Sequence, residues 1–285
     1  MISKQKPKIV RKVWGGKKLE FMKGLKSSAG EEPIGETLEI AQDHLPYLAK
    51  FIDTSNELSI QVHPGDEYAR VHENSSGKTE CWIILESQDE AGIYLGLRPG
   101  ITRQMLQKAL DEKGPIQELL NFYSVKAGDF FFVPAGSIHA IGRDITLAEI
   151  QQNSGITYRI WDWDRVDENG ISRELHVKKS LDVINFETTK NELAYFLPKQ
   201  NLFSKNGLAE ICGHPQFQLS ILNLEKGESY HWEKKSLGRP RSILNLNGKM
   251  RINQILIDSY GAVIIEGDEL VEISAEESGS ALLIY

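Results

Sequence analysis

Hydrophobic and polar residues alternate along most of this chain with the period of two that is typical of β-strands. Residues 35–40, GETLEI, alternate strictly, and residues 48–53 and 58–64 are short and strand-like. Further strand patterns are GKTECWIIL from residue 77, AGIYLGL (91–97), SVKAGDFFFVPAG, ITLAEIQQ (145–152) and TYRIWDWD (157–164). The pattern predicts a mainly β fold.

Residues 102–123 follow a helical period instead. Apolar residues from Met105 to Leu110 recur at helical spacing after Thr102, a residue type that caps helix N-termini. Pro115 predicts the start of a second short helix, because proline is favoured in a first helical turn. We therefore predict a small helical insertion at about residues 100–123.

The chain changes character around residues 185–205, which are polar and irregular. Short strand patterns with glycine turns follow, and they are typical of a small β-sandwich or barrel. Residues 267–275, GDELVEISA, resemble the earlier GDFFFVPA, but no histidine follows them. We predict a first domain over residues 1–190 and a smaller β domain without metal over residues 191–285.

The composition of the chain limits the classes of partner that it is expected to bind. The 285 residues include 33 Lys and Arg against 40 Asp and Glu, so the net charge of −7 disfavours nucleic acid or an anionic membrane. A phosphorylated small molecule needs only local basic residues. No apolar run approaches the roughly 18 residues of a membrane span, and the N-terminus lacks the apolar core of a signal peptide. With only Cys81 and Cys212, we expect free thiols in a cytoplasmic protein.

The stretch from Gly128 to His139, GDFFFVPAGSIH, is the first candidate for chemistry. Four strand formers end at Pro134 and Gly136, which break the strand and can hold the next imidazole in a fixed direction. A metal site needs further ligands, and two other strand segments supply them.

Gln61 and His63 lie at i and i+2 and therefore on one face of a strand. Glu80 lies within another strand pattern, with Lys78 on the same face. This nitrogen and oxygen set suits Zn²⁺. Glu67 is a rival ligand, but Pro64-Gly65-Asp66 turns the chain before it, which favours Glu80. The other histidines are predicted to be solvated or structural; they are His44, His72, His176, His214 and His231.

The spacing G-x5-P-x-G-x2-H is similar to the second signature of the cupin barrels. More specifically, the motifs together resemble type I mannose-6-phosphate isomerase in its short bacterial form, over about residues 10–165. They are VWGG (13–16), GETLEI (35–40), SIQVHP (59–64), GKTECW (77–82), PAGSIHA (134–140) and EIQQNS (149–154), followed by Tyr158-Arg159.

The resemblance implies a cupin-type β-barrel or jelly roll as the catalytic domain, with a cupin-like C-terminal barrel. It also implies one Zn²⁺ per chain and interconversion of mannose 6-phosphate and fructose 6-phosphate. The implied zinc ligands are Gln61, His63, Glu80 and His139, the implied active-site residue is Arg159, and Lys78 would lie beside the substrate. The chain departs from many relatives at Leu38, where they carry Trp, which bears on pocket shape.

Such an isomerisation moves a proton between C2 and C1 through an enediol. Arg159 would stabilise the charged oxygens or hold the sugar, and Lys78 would move a proton or bind oxygens. Three candidates for the carbon base stay open: a water on the zinc, Lys78, or a carboxylate such as Glu149. By likeness alone, Trp14, Gly15 and Glu36 line the pocket; the alternative is a turn packed beside the barrel. Strand alternation places Trp161 and Trp163 on the same face as Arg159, where they either form a wall of the site or fill the core.

Two other classes of function stay open. One is a different metal-barrel enzyme such as a dioxygenase, although its Fe²⁺ would prefer ligation richer in histidine. The other is a catalytically silent sugar-binding or regulatory protein on the same fold. In each case we expect a monomer or homodimer.

Overall fold

The computed structural model describes residues 1–25, 28, 30–166, 169–233, 240–267 and 270–285. Antiparallel strands dominate this part of the chain. Up to residue 146 the strands are β1 (Ile2–Lys4), β2 (Lys8–Gly16), β3 (Ile34–Ile40), β4 (Tyr47–Asp53), β5 (Ile60–Val62), β6 (Glu80–Ser87), β7 (Gly92–Leu97), β8 (Leu120–Ser124), β9 (Phe130–Val133) and β10 (His139–Ile141). The mainly β class that the alternation predicts is confirmed.

Eleven further strands follow in the described part of the chain. They are β11 (Ile145–Gln152), β12 (Tyr158–Trp161), β13 (Gly207–His214), β14 (Phe217–Leu224), β15 (Ser229–Trp232), β16 (Arg241–Asn247), β17 (Met250–Ile252), β18 (Ile255–Ile257), β19 (Ala262–Ile265), β20 (Val271–Ala275) and β21 (Gly279–Ile284). Strand β20 covers part of the segment 267–275, whose sequence resembles GDFFFVPA. Asp268 and Glu269 of that segment lie outside the described residues.

The helices are short. They are α1 (Lys18–Met22), α2 (Asp66–Glu73), α3 (Arg103–Asp111) and α4 (Val177–Val183), with 3₁₀ turns at Ile116–Leu119, Thr188–Lys190 and Leu193–Phe196. None of the described helices has both the length and the apolar character needed to span a bilayer.

The predicted helical insertion is confirmed as α3 and the first 3₁₀ turn, but its predicted end near residue 123 is wrong, because Leu120–Ser124 form strand β8 paired with β7. Thr102 caps α3, since its side-chain oxygen accepts a hydrogen bond from the Met105 backbone N–H at 3.2 Å. Leu106 is the buried anchor of α3, and Pro115 precedes the 3₁₀ turn. Helices α1, α2 and α4 have five to eight residues, too few for a clear apolar period.

The described chain divides into two compact units whose segments interleave. The first unit comprises residues 1–53, 147–153 and 200–285; the second comprises residues 54–146 and 154–199. Strand β11 contributes to the interleaving, because β2, β3, β4 and β11 hydrogen-bond in that order. The sequence instead predicts one boundary, near residue 190, because periodicity identifies strands without their partners. The division into 1–190 and 191–285 stays a prediction.

The first unit contains two further sheets that share an apolar core. One has the strand order β1-β19-β16-β21-β14-β13 and the other β15-β20-β17-β18. Strand β1 at the start of the chain pairs with β19 near its end, with Ile2 opposite Ile265. Side chains from both sheets meet in the core; they include Leu222, Ile243, Val263, Leu283, Met250, Ile252, Val271 and Ile273.

The second unit contains the sheet β12-β5-β10-β7-β8 and the pair of β6 with β9. His139 on β10 lies opposite Gln61 on β5, and Gln61 lies opposite Arg159 on β12. Directly opposed residues of antiparallel strands point to the same face. The register therefore aligns the side chains of Arg159, Gln61 and His139 in a row across three strands.

Candidate metal centre

Three chain segments of the second unit bring metal-ligating side chains together. His63 directly follows β5, Glu80 begins β6 and His139 begins β10. Their side-chain ligand atoms all lie within 4.8 Å of one another, and all three residues are buried. Nε2 of His63 is 3.3 Å from Oε2 of Glu80, and Nε2 of His139 is 3.4 Å from Oε1.

Each imidazole is oriented by a backbone carbonyl. Nδ1 of His63 donates to the carbonyl of Ile156 at 2.8 Å, and Nδ1 of His139 donates to the carbonyl of Ser137 at 2.9 Å. A carbonyl oxygen only accepts, so the proton of each neutral ring lies on Nδ1. Both Nε2 lone pairs therefore face the carboxylate. Metal-ligating histidines are commonly oriented in this way, by a hydrogen bond from the ring nitrogen that does not bind the metal.

The electrostatics of the cluster favours neutral rings beside a charged carboxylate. Burial, with Lys78 nearby, lowers the pKa of His63 to about 3, and burial lowers the pKa of His139. Burial alone would raise the pKa of Glu80, but the adjacent Lys78 holds it well below its usual range. The two nitrogen lone pairs thus face a negatively charged carboxylate, and these groups repel one another. A cation bound among them would remove the repulsion, because all three groups could coordinate it. The three residues fit a metal ion.

Gln61 lies at the edge of this group. Its Nε2 is 3.3 Å from Nε2 of His139, and its Oε1 accepts a hydrogen bond from the Ser59 hydroxyl at 3.4 Å. A half-turn of the amide would present the oxygen to the same position. The structure thus places Gln61 beside the three donors, and its role as a fourth ligand stays a prediction.

Lys78 contacts the donor group directly. Its Nζ is 2.8 Å from Oε2 of Glu80 and 3.1 Å from Nε2 of His63, and the residue is 5% exposed. A buried ammonium at this position balances the carboxylate. It also sets a positive charge beside the position at which a cation and its substrate would bind.

Arg159 is held by a returning segment of chain. Its Nη1 donates to the Glu174 carbonyl at 2.8 Å, and its backbone N–H donates to Nδ1 of His176 at 3.3 Å. Burial, and then the neighbouring Arg173, lower its pKa from the usual arginine value. A guanidinium keeps its charge through such a shift. His176, expected to be merely structural, is thus a direct neighbour of Arg159.

Several other candidates lie apart from the three donors. Glu67 lies in the first turn of α2 and is exposed, because residues 66–73 form a helix where the strand has ended. Cys81 is fully buried. Trp161 and Trp163 are partly buried against the apolar core of the second unit, where Trp163 Nε1 donates to the Leu58 carbonyl at 2.7 Å.

The first unit contains a buried ionic cluster that the strand pattern does not reveal. Nζ of Lys50 lies 2.9 Å from Oε2 of Glu36 and 3.0 Å from Oε1 of Glu149. The local signal is a lysine in the middle of the strand YLAKFID, whose other residues before Asp53 are apolar or aromatic. In the same unit Trp14 is buried, and a Cβ on Gly15 would approach the Gly35 backbone to 2.7 Å. A pocket-lining role for Trp14, Gly15 and Glu36 stays a prediction.

Comparison with known proteins gives three kinds of result. No protein-family model matches the sequence. A mannose-6-phosphate isomerase of Bacillus subtilis is 49% identical over 147 residues, which are 51% of this chain and 46% of that relative. A mannose-6-phosphate isomerase of Streptococcus mutans is 41% identical over 157 residues, with 55% of this chain and 49% of the relative covered. These matches span about half the length of the curated relatives.

The fold matches over a longer range. The crystal structure of mannose 6-phosphate isomerase from Bacillus subtilis superimposes with a TM-score of 0.82 and 22% identity, covering 99% of this chain and 98% of that one. The chain is therefore similar in sequence to mannose-6-phosphate isomerases over about half its length, and it has their fold over nearly all of it.

Proposed function

We propose that this chain is a zinc-dependent isomerase that interconverts mannose 6-phosphate and fructose 6-phosphate. The observation that carries the proposal is the convergence of His63, Glu80 and His139 beside Lys78. The sequence similarity to mannose-6-phosphate isomerases supports it. We further propose that the protein is cytoplasmic, a monomer or homodimer, and acts on a small sugar phosphate rather than on nucleic acid or a membrane.

The donor set supports zinc as the metal. Two imidazole nitrogens and one carboxylate are common ligands of catalytic zinc, which keeps a coordination position open. His63, Glu80 and His139 would hold the ion, with the amide oxygen of Gln61 as a fourth ligand. When bound, zinc supplies a redox-inert Lewis acid for a carbonyl oxygen.

The remaining residues would act on the sugar itself. The isomerisation moves a proton between C2 and C1, and negative charge develops on the neighbouring oxygens. Arg159 lies on the same sheet face as Gln61 and His139, so its guanidinium can stabilise this charge or hold the hydroxyls. The Lys78 ammonium would add a second positive charge and donate hydrogen bonds to substrate oxygens.

An assay with mannose 6-phosphate tests the proposal. The purified protein is incubated with the substrate with and without a chelator, and fructose 6-phosphate is measured. We expect product only without chelator, and recovery after zinc is added back. Product that forms regardless of chelation would contradict the zinc proposal, and no product with zinc-loaded protein would contradict the isomerase.

Arg159→Ala tests the role of the guanidinium. We expect kcat/KM to fall by about 100- to 1000-fold with normal zinc content, because a charge-stabilising donor is lost. Arg143→Ala is the matched control, since the Arg143 side chain is 69% exposed and pairs only weakly with Asp144 at 3.8 Å. Full turnover of Arg159→Ala would remove Arg159 from the mechanism.

A further inference from the structure

The chain between β12 and α4 turns back onto Arg159. The backbone N–H of His176 donates to the Arg159 carbonyl at 2.7 Å, and Nδ1 of His176 accepts from the Arg159 N–H at 3.3 Å. The Glu174 carbonyl accepts from Nη1 of the guanidinium at 2.8 Å. Residues 174–176 therefore fix both the backbone and the charged group of Arg159.

A buried carboxylate anchors this returning segment. Asp162 is 4% exposed, and its Oδ2 accepts from Nε of Arg173 at 2.6 Å while its Oδ1 accepts from Nη2 of the same residue. Oδ1 also accepts from Nη2 of Arg165 at 2.6 Å. A two-pronged pair of this kind restrains both distance and orientation. Because Arg173 directly precedes Glu174, the pair sets the position of the carbonyl that holds Arg159.

Two further contacts close the segment around Asp162. Nη1 of Arg165 donates to the Glu57 carbonyl at 2.7 Å, which ties this guanidinium to the chain before β5. Val166 and Ser172 form an antiparallel bridge between the outgoing and returning chain. Together these residues form a small cluster, called the clamp below, with the Asp162 carboxylate at its centre. Its members are Asp162, Arg165, Val166, Ser172, Arg173 and Glu174.

The charges make this carboxylate hard to replace. The guanidiniums of Arg173 and Arg165 both act electrostatically on Arg159, and the carboxylates of Asp162 and Glu174 oppose them. Of these two carboxylates, Asp162 is the one that bonds Arg165 and Arg173 directly. Burial would raise the pKa of Asp162, but its hydrogen bonds with Arg173 and Arg165 lower it. Without the negative charge, Arg173 would be repelled and would draw Glu174 away from Arg159.

We propose that Asp162 is a positioning residue for Arg159, acting through Arg173 and the carbonyl of Glu174. This inference rests on the proposed function only where activity is the measurement. It concerns a carboxylate whose hydrogen-bond partners in the described part of the chain are Arg165 and Arg173.

Asp162→Asn tests the proposal, with Asp182→Asn as its matched control. Asp182 also pairs with an arginine, Arg103 at 3.1 Å, but it is exposed, and its side-chain partners among the described residues are Arg103 and Tyr68. We expect Asp162→Asn to lower kcat for mannose 6-phosphate by about 10- to 100-fold at unchanged zinc content, as misplacement of a catalytic group does. The control should stay within about twofold of the unchanged protein. Equal activity of Asp162→Asn and the unchanged protein would overturn the proposal.

A second substitution covers the case in which Asp162→Asn does not fold. Arg173→Lys keeps the charge but loses the two-pronged geometry, so we expect an intermediate loss in kcat of about threefold to tenfold. Normal kcat in a folded Arg173→Lys protein would contradict the route through Arg173.

A double-mutant cycle separates positioning from general destabilisation. In an Arg159→Ala background, Asp162→Asn should change kcat by less than about twofold, because there is no guanidinium left to position. If Asp162→Asn lowers kcat equally in both backgrounds, its role is structural and the proposal fails.

A measurement independent of activity completes the test. Nε of Arg159 is buried away from solvent, and for that reason its proton should exchange slowly. Its NMR signal is assigned by its loss in Arg159→Ala. We expect about tenfold faster exchange in Asp162→Asn and no change in Asp182→Asn. An inactive unchanged protein would defeat the proposed function, whereas unchanged exchange in Asp162→Asn would defeat the positioning role.

Discussion

The two-sheet core of the first unit and the strand ends around His139 in the second unit differ in the side chains that they direct inward. In the first unit, two sheets meet in an apolar core that includes Met250, Val271 and Ile273, each fully buried. In the second unit, the strand ends direct His63 and Glu80 into a buried polar cluster. Both units are antiparallel β structures, so the backbone alone does not create a metal site. The side chains at a few strand ends do.

Strands β9 and β20 show how the difference arises. After β9 the chain breaks at Pro134, and Gly136 adopts a positive φ of 85°. The Gly136 N–H donates to the His63 carbonyl at 2.8 Å, which ties the turn to the neighbouring ligand before His139 begins β10. Strand β20 has no such break, and Glu276 beyond it forms an exposed ion pair with Arg251. The turn after β9 thus places a histidine beside His63, whereas no histidine follows β20 in the sequence.

Removing the carboxylate at the centre of the polar cluster should have the largest effect. We expect Glu80→Gln to lose bound zinc and to lower kcat/KM by about a thousandfold or more, because the metal loses its only charged ligand. Metal content by mass spectrometry and the isomerase assay check this. Glu67→Gln is the control, since Glu67 is exposed on α2. Zinc retained in Glu80→Gln and lost in Glu67→Gln would reverse the assignment.

A substitution in the apolar core of the first unit should lower stability and leave turnover unchanged. Ile273 is fully buried, and Ile273→Ala should lower the free energy of unfolding by about 2–5 kcal/mol through lost burial and a cavity. Denaturant titration measures the loss, and kcat per folded molecule should remain unchanged. A large drop in kcat at full folding would show that the two units are not separable in function.

The turn after β9 gives a smaller, local effect. A Cβ on Gly136 would lie 2.6 Å from Nδ2 of Asn185 and 2.9 Å from the Val183 carbonyl, and φ is positive. Gly136→Ala should therefore cost about 1–3 kcal/mol and weaken zinc binding by displacing His139. Gly267→Ala is the matched control because its φ is also positive, at 90°, but no atom of the described residues beyond its chain neighbours would lie within 4 Å of the added Cβ. Equal zinc affinity in both variants would show that crowding at Gly136 does not matter.

The smallest expected effect is the acid dependence of stability. The pKa of Asp162 is lower in the folded protein than in the unfolded chain, so its contribution is fully present above the unfolded value, about 4. The contribution is lost as the pH falls through the lower folded value. The stability difference between the unchanged protein and Asp162→Asn should thus be constant near neutral pH and shrink below about pH 4.

Thermal unfolding between neutral and acidic pH measures this difference. Glu276→Gln in the first unit is the comparison, because both side chains of its ion pair are 43% exposed and such pairs contribute little. A difference between the unchanged protein and Asp162→Asn that persists at low pH would show that the carboxylate charge is not the source of the stabilisation.

The candidate donors could be predicted because their signals are local. Residue type and strand alternation indicate His63 and Glu80, and a Pro-Gly break indicates His139. The turn at Pro64-Gly65-Asp66 also favoured Glu80 over Glu67, and the structure has a helix where Glu67 lies. The sequence pattern does not predict helix α2, which is eight residues long and buries only Ala69.

The ionic clusters could not be predicted in the same way. The Lys50 cluster joins strands β3, β4 and β11. The alternation of polar and apolar residues within a strand does not indicate which strands lie beside it. Asp162 is one carboxylate among 40 acidic residues until the chain returns with Arg173. Opposed charges that are distant in sequence meet only through register and turns.

The sequence by itself determined the mainly β class, the helical insertion and the residues able to ligate a metal, because these follow from residue type and short-range period. Only the tertiary structure decided that His63, Glu80 and His139 form one buried cluster with Lys78. It also decided that Arg159 lies opposite Gln61 and that Asp162 anchors the segment that holds Arg159. The physical reason is that strand pairing and burial set distances between residues far apart in the chain, and it is those distances that set charge, orientation and ligand geometry.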